Sequence, residues 1–157
     1  MAFVPDSIDR RLLRLLQEDS GRSLRALGEE VGLSPSAVQR RIRAYRAAGV
    51  VTREVAVLDP EALGPTTLAV VLVTLEYEST EHHTAFRARM LAESHVQQCY
   101  DLAGQWDYAA VLVTGSLSEC RALADRLFRD DQNVRRYDTL PVLDSIKTGS
   151  TVPLPQP

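Results

Sequence analysis

The sequence predicts an α+β chain in two parts, a helix-turn-helix domain followed by a domain whose elements run β-α-β-β-α-β. Three observations carry this. Apolar residues recur at helical spacing from Ile8 to Tyr45. Asp59-Pro60 and Gly64-Pro65 then bracket a connector. Beyond it, strongly apolar strands alternate with amphipathic helices. The expected boundaries are 1–58 for the first domain, 59–66 for the linker, 67–148 for the second domain and 149–157 for a Pro-rich tail expected to be disordered.

In the first helix Ile8, Leu12, Leu13, Leu15 and Leu16 recur between Asp6 and Asp19, with Asp6 or Ser7 as cap and Asp19-Ser20-Gly21-Arg22 as terminator. Ser23 caps a short second helix in which Leu24, Leu27 and Val31 share a face, and Gly32-Leu33 breaks it. Ser34-Pro35 opens a third helix, Ser as N-cap and Pro at the position where its missing N–H costs nothing. Val38, Ile42 and Tyr45 form its apolar stripe, and Gly49 ends it. Val50–Arg53 and Val55–Leu58 read as two short strands.

In the second domain Leu68–Tyr77 is a strand and Thr80–Glu93 a helix with Phe86, Met90 and Leu91 inward. His95–Ala103 and Tyr108–Thr114 are strands. Ser116–Phe128 is a helix burying Leu117, Cys120, Leu123, Ala124, Leu127 and Phe128, and Val134–Ile146 holds a last strand, bent or continued at Pro141. This order is the ferredoxin-like arrangement. Leu68–Val73 and Ala109–Val113 are apolar on both faces, whereas a half-exposed antiparallel sheet alternates. Something must cover the second face, and the simplest cover is a second copy of the sheet in a two-fold dimer.

Charge separates along the chain. Residues 1–55 hold ten Arg against seven Asp/Glu, so a net charge of −3 conceals a basic first part and an acidic second part. That asymmetry suggests nucleic-acid binding by the first part. No apolar run reaches the roughly 18 residues that span a bilayer. The first residues lack the pattern of a secretory signal, so a cytoplasmic location is expected. Cys99 and Cys120 form no C-x-x-C pair and read as two buried thiols. His82 and His83, being adjacent, cannot make an i, i+4 metal pair, and no catalytic constellation has motif support, so neither metal nor enzymatic chemistry is expected.

The strings Ser7-Ile8-Asp9-Arg10-Arg11-Leu12-Leu13, Leu16-Gln17-Glu18-Asp19-Ser20-Gly21-Arg22 and Leu27-Gly28-Glu29-Glu30-Val31-Gly32-Leu33-Ser34-Pro35-Ser36-Ala37-Val38, with Arg41-Ile42 and Gly49-Val50-Val51, resemble the Lrp/AsnC (feast/famine) regulators. Gly104-Gln105-Trp106-Asp107-Tyr108 is similar to that family's G-x-x-D-Y turn. The resemblance runs from about Ser7 to Lys147, departing at Tyr45, where an aliphatic residue is usual, and at the Pro-rich end. It implies a winged helix-turn-helix, a ferredoxin-like regulator domain that dimerises through its sheet, and dimers assembling into tetramers or octamers around an amino acid or similar effector. It implies no cofactor beyond that effector.

On the third helix Ser36, Gln39, Arg40 and Arg43 project away from the apolar stripe, and Gln and Arg are the side chains that read adenine and guanine bidentately. Arg41 suits phosphate, and Arg22, Ser23 and Ser34 stand at helix starts where backbone phosphate can be held. The partner is double-stranded DNA. At the turn Gly104 permits close backbone approach, Asp107 can accept an ammonium group, and Trp106 and Tyr108 can wall a side chain. The plainer reading is a turn former at Asp107 with Tyr108 in the core, and the resemblance favours ligand binding. Two other functions fit the same elements: an enzyme on a ferredoxin-like scaffold, or an architectural DNA-binding protein without effector.

Overall fold

Asp6 opens α1 (Ser7–Glu18) with a reciprocal cap: its carboxylate accepts from the Asp9 N–H at 2.7 Å, and Asp9 accepts from the Asp6 N–H at 3.0 Å. Two donors that a helix start leaves open are satisfied by one pair of residues. Ser23 caps α2 (Leu24–Val31) and Ser34 caps α3 (Pro35–Ala47), each accepting from the backbone three residues on. The α2–α3 turn demands two glycines. Gly32 ends α2 at φ 71°, and a Cβ at Gly28 would stand 2.4 Å from the Leu33 carbonyl oxygen, so only glycine lets the turn close. Leu12, Leu13, Leu27, Val38, Ile42 and Tyr45 form the core of this unit, as their spacing predicts. The computed structural model describes residues 3–154.

Two expectations fail in this unit. Val50–Arg53 and Val55–Leu58 form no strands. Val50 and Val51 instead donate their N–H groups to the Tyr45 carbonyl at 2.9 and 3.3 Å, rounding off α3, and the chain then runs on with Val55, Val57 and Leu58 exposed. Arg53-Glu54 lacks the turn residues of a tight hairpin, and a lone two-stranded ribbon is marginal in water. The segment read as a disordered tail is likewise placed: from Thr148 it belongs with the first unit, which otherwise ends at Val57. Leu154 packs against the α1–α3 core. Residues 155–157 lie outside the described residues.

The second unit, Leu58–Lys147, begins with the single turn α4 (Pro60–Leu63). It continues with β1 (Thr67–Leu75), α5 (Thr80–Ala92), β2 (Val96–Asp101), β3 (Tyr108–Thr114), α6 (Leu117–Ala124) and β4 (Val134–Pro141). The sheet is antiparallel in the order β2-β3-β1-β4, the ferredoxin-like arrangement. Burial alternates along β1 and β3, so Val71, Val73, Tyr108, Ala110 and Leu112 meet Phe86, Met90, Cys120, Leu127 and Phe128 in one core. The other face carries Leu68, Val70, Leu72, Val111 and Val113, each only half-buried.

Helix α6 passes into a π turn at Asp125–Arg129, closed by Asp130 N–H on the Asp125 carbonyl at 3.0 Å, which keeps Leu127 and Phe128 inward. Three residues read as buried are exposed. Leu91 is 88% exposed because Phe86 and Met90, one turn apart, already define the inward stripe of α5. Leu117 stands in the first turn of α6, ahead of the first buried position, Cys120. Cys99 lies on β2, at the edge of the sheet, and only Cys120 is buried.

Glu93 closes α5 and accepts three hydrogen bonds from two residues. Its carboxylate accepts from Arg126 at 2.6 Å, from the His95 ring at 2.8 Å and from the His95 N–H at 3.1 Å. Arg126 first, then His95, hold its pKa at about 2 against an ordinary 4.5. A carboxyl depressed in the folded state stabilises above its unfolded value and loses that contribution as pH falls through the folded one. The second unit is therefore expected to lose stability between about pH 4.5 and 2. Chemical denaturation followed against pH checks this: Glu93→Gln flattens the dependence in that window, and an unchanged slope refutes it.

Candidate functional site

Helix α3 buries Val38, Ile42 and Tyr45 and leaves Ser36, Gln39, Arg40 and Arg43 exposed. Gln39 and Arg43 line a cleft of about 300 Å³ together with Arg22, Arg46, Ser20 and Glu54. Three guanidinium groups and one amide thus face one concavity between the start of α2 and the body of α3. Arg46 is tied to Glu54 at 2.7 Å and Arg22 approaches Glu18 at 3.6 Å. Among the described residues, Arg40 and Arg43 have no ion-pair partner. Exposed guanidinium groups without internal partners, as at Arg40 and Arg43, suit a polyanion.

Three residues proposed at this face are already engaged. The Ser23 hydroxyl accepts from the Ala26 N–H at 3.1 Å, and that of Ser34 from the Ala37 N–H at 3.3 Å, with Ser36 Oγ at 3.1 Å. Both keep an exposed side chain but serve first as caps. Arg41 does not fit the phosphate role. Its Nη1 donates to Asp6 at 2.9 Å and to Asp9 at 2.5 Å, and 27% of its side chain is exposed. Those carboxylates push its pKa further up, and burial plus the bond to Asp9 raises that of Tyr45. Arg41 is the clamp between α1 and α3. No local pattern marks this role, because its partners lie 32 and 35 residues away.

In the second unit, Gly104-Gln105-Trp106-Asp107-Tyr108 joins β2 to β3. Asp107 is held on three sides: its N–H donates to the Val73 carbonyl at 2.9 Å, its carbonyl accepts from the Leu102 N–H at 2.8 Å, and Oδ2 accepts from the Leu75 N–H at 2.6 Å. It lines a cleft of about 440 Å³ with Asp101, His83, Arg87, Glu78 and Thr80. Arg87 pairs with Asp101, which raises its pKa. The cleft thus offers carboxylates beside a guanidinium and an imidazole, a lining matched to a zwitterion.

The other turn residues do not converge on that cleft. Tyr108 is buried in the core, its ring stacked on Phe86 at 4.3 Å and its hydroxyl 2.6 Å from His83 Nδ1, so it steadies a lining residue and cannot wall a ligand directly. Trp106 lies under the Arg136 guanidinium, 4.6 Å from the ring centroid. Gly104 has no positive φ, and a Cβ there would meet nothing within 4 Å. The expected backbone demand on Gly104 is absent within this chain, because the surrounding space is open. His83, Arg87, Asp101 and Glu78 were missed by sequence reading. The available signal was the polar stripe Thr80, His83, Thr84, Arg87, which lies on one face of a helix.

A capped recognition helix with a free polar face, followed by an α+β domain bearing a charged cleft, defines a helix-turn-helix regulator with a ligand-binding half. Comparison with known proteins agrees. The AsnC-type helix-turn-helix domain matches residues 6–46, and the Lrp/AsnC ligand binding domain matches residues 68–152. An HTH-type transcriptional regulator of Haemophilus influenzae is 30% identical over 94% of this chain and 88% of its own length. An AsnC family regulator from Agrobacterium tumefaciens superposes with a TM-score of 0.88 at 28% identity, covering 95% of this chain and 97% of that one. A Neisseria meningitidis transcriptional regulator, solved with L-Met, gives 0.87 at 26% identity, covering 96% and 97%. The chain belongs to the Lrp/AsnC family. It is a DNA-binding transcriptional regulator and not an enzyme. Among the described residues no helix is long and apolar enough to cross a membrane.

Proposed function

We propose that this protein is a cytoplasmic regulator that reads double-stranded DNA through α3 and responds to a free amino acid bound at the Asp107 cleft. The carrying observation is that Asp107, fixed by its bonds to Val73 and Leu75, shares one cleft with Arg87 and His83. Asp107 and Asp101 take the ammonium group, and Arg87 with His83 takes the carboxylate. The Neisseria relative's complex with L-Met supports this ligand class. On α3, Ser36, Gln39, Arg40 and Arg43 contact base edges and adjacent phosphate, while Arg22, Ser23 and Ser34 hold backbone at helix starts.

The functional particle is a dimer, assembling to tetramers or octamers. Two apolar surfaces support this: the half-buried sheet face of Leu68, Val70, Leu72, Val111 and Val113, and the extended Val55–Leu58. A second copy covers both. Its paired α3 helices then read half-sites roughly 34 Å apart or a multiple of that. The effector acts by binding one assembly state more tightly than another. A Cβ at Gly104 would meet nothing within 4 Å, which leaves room for a neighbouring subunit beside this turn.

Sedimentation against a panel of the standard amino acids, with DNA selection beside it, tests the reading. One amino acid shifts the assembly mass, and the selected DNA is palindromic. DNA binding that no amino acid affects would leave an architectural role instead. The sharper variant is Asp107→Asn, because its amide oxygen still accepts from Leu75 N–H while the charge is lost. Effector affinity is expected to fall about tenfold to 100-fold, the worth of a charge-assisted hydrogen bond, with the fold intact. Calorimetric titration at wild-type affinity would remove Asp107 from the site.

A further inference from the structure

The ligand-binding domain of the family matches the chain as far as residue 152, yet its last stretch, from Thr148, packs with the DNA-binding unit. The contact is built by chemistry specific to one residue. The Gln17 side-chain amide, near the end of α1, meets the backbone of Val152 both ways. Val152 N–H donates to Gln17 Oε1 at 2.7 Å, and Gln17 Nε2 donates to the Val152 carbonyl at 3.2 Å. A primary amide offers the same donor and acceptor pair as a peptide group, and among side chains only Gln and Asn carry it. Two residues on, Leu154 is partly buried against the core of Leu12, Leu13, Leu27, Val38, Ile42 and Tyr45. Pro153 lies between the two contacts, and its fixed φ lowers the entropy of holding them together.

We propose that residues 148–154 are a strap that completes the DNA-binding unit. It clasps the end of α1, and its release weakens DNA binding. The neighbours of the clasp give the reason. Leu16, beside Gln17, lines the same cleft as Arg22, Gln39 and Arg43. The α1 carboxy-terminal turn leads directly into Ser20 and Arg22. Loosening α1 there moves the wall against which the recognition helix works. The strap also returns the chain to the DNA-binding unit after β4, whose exit is anchored by Val142 N–H on the Leu68 carbonyl at 2.8 Å. The chain thus joins its two units twice, at Val57–Leu58 and at Lys147–Thr148. A shift at the end of β4 has a covalent route to α1 that does not pass through residues 58–66.

The test uses the full-length protein, Gln17→Ala, Leu154→Asp and a truncation after Lys147, each read by amide exchange and by DNA affinity. The inference rests on α3 being the DNA reader, and the exchange measurement is independent of that reading. In the wild type the Val152 amide is expected to exchange about tenfold more slowly than in a free peptide. Gln17→Ala and Leu154→Asp abolish that protection and weaken DNA binding about three- to tenfold, while exchange in β1 and β3 is unchanged. Free-peptide exchange at Val152 in the wild type would refute the strap. Full protection lost with DNA affinity unchanged in both point variants would refute its role in binding. The point variants decide the matter even where the truncated chain fails to fold.

Discussion

Asp9→Ala is expected to destabilise the DNA-binding unit by about 2–4 kcal/mol. Asp9 is buried, and its carboxylate is shared by three donors: Tyr45 Oη at 2.6 Å, Arg41 Nη1 at 2.5 Å and the Asp6 N–H at 3.0 Å. Removing it leaves the Tyr45 hydroxyl, on a residue 1% exposed, without an acceptor. A stranded buried polar group costs about 1–3 kcal/mol, and breaking a buried ion pair from one side about 3–5 kcal/mol. The sum stays below those limits because Asp6 still holds Arg41 at 2.9 Å and the guanidinium is partly in water. Asp9→Asn keeps an acceptor for Tyr45 and loses only the charge, so it costs less than half as much. Chemical denaturation measures both variants. An Asp9→Ala protein within about 0.5 kcal/mol of wild type would show that the network adds nothing.

Arg43→Ala is expected to lower DNA affinity by about 1–3 kcal/mol, roughly five- to 150-fold, if the side chain reads a base edge. Arg43 is exposed, lines the α2–α3 cleft and has no ion-pair partner among the described residues. Its charge is therefore free for DNA. Salt dependence separates the two kinds of contact. A lost phosphate contact lowers the slope of log affinity against log salt by about 0.9. A lost base contact relaxes sequence preference at one position instead. Arg41→Ala supplies the contrast. Tied to Asp6 and Asp9, it acts on thermal stability and leaves the salt slope alone. Arg43→Ala binding at wild-type affinity with an unchanged slope would move the reading face off α3.

Much of the architecture was legible because its determinants are local. Asp6, Ser23 and Ser34 mark their helix starts within three residues of the groups they cap. The stripe Val38, Ile42, Tyr45 dictates which face of α3 turns inward, and so which side chains remain for DNA. Tyr108–Thr114 was read as a strand at both ends, since a run of small and β-branched apolar residues bounded by Asp107 and Gly115 has few alternatives. Of the cleft lined by Asp107, only Asp107 itself was legible. Spacing sets His83 and Arg87 on one face of α5, but nothing local announces that Asp101 of β2 and Asp107 meet them there.

By itself, then, the sequence determined the three helices of the first unit, the β-α-β-β-α-β order of the second, the caps of α2 and α3, most of the two cores and the separation of a basic first part from an acidic second part. Only the tertiary structure decided that Arg41 clamps α1 to α3, that Tyr108 lies beneath the cleft and that no ribbon forms after α3. It also placed Val152 against the first helix, through Gln17, 135 residues away. Such pairings depend on which surfaces the folded chain brings within about 3 Å, the reach of a hydrogen bond, and local periodicity carries no record of that.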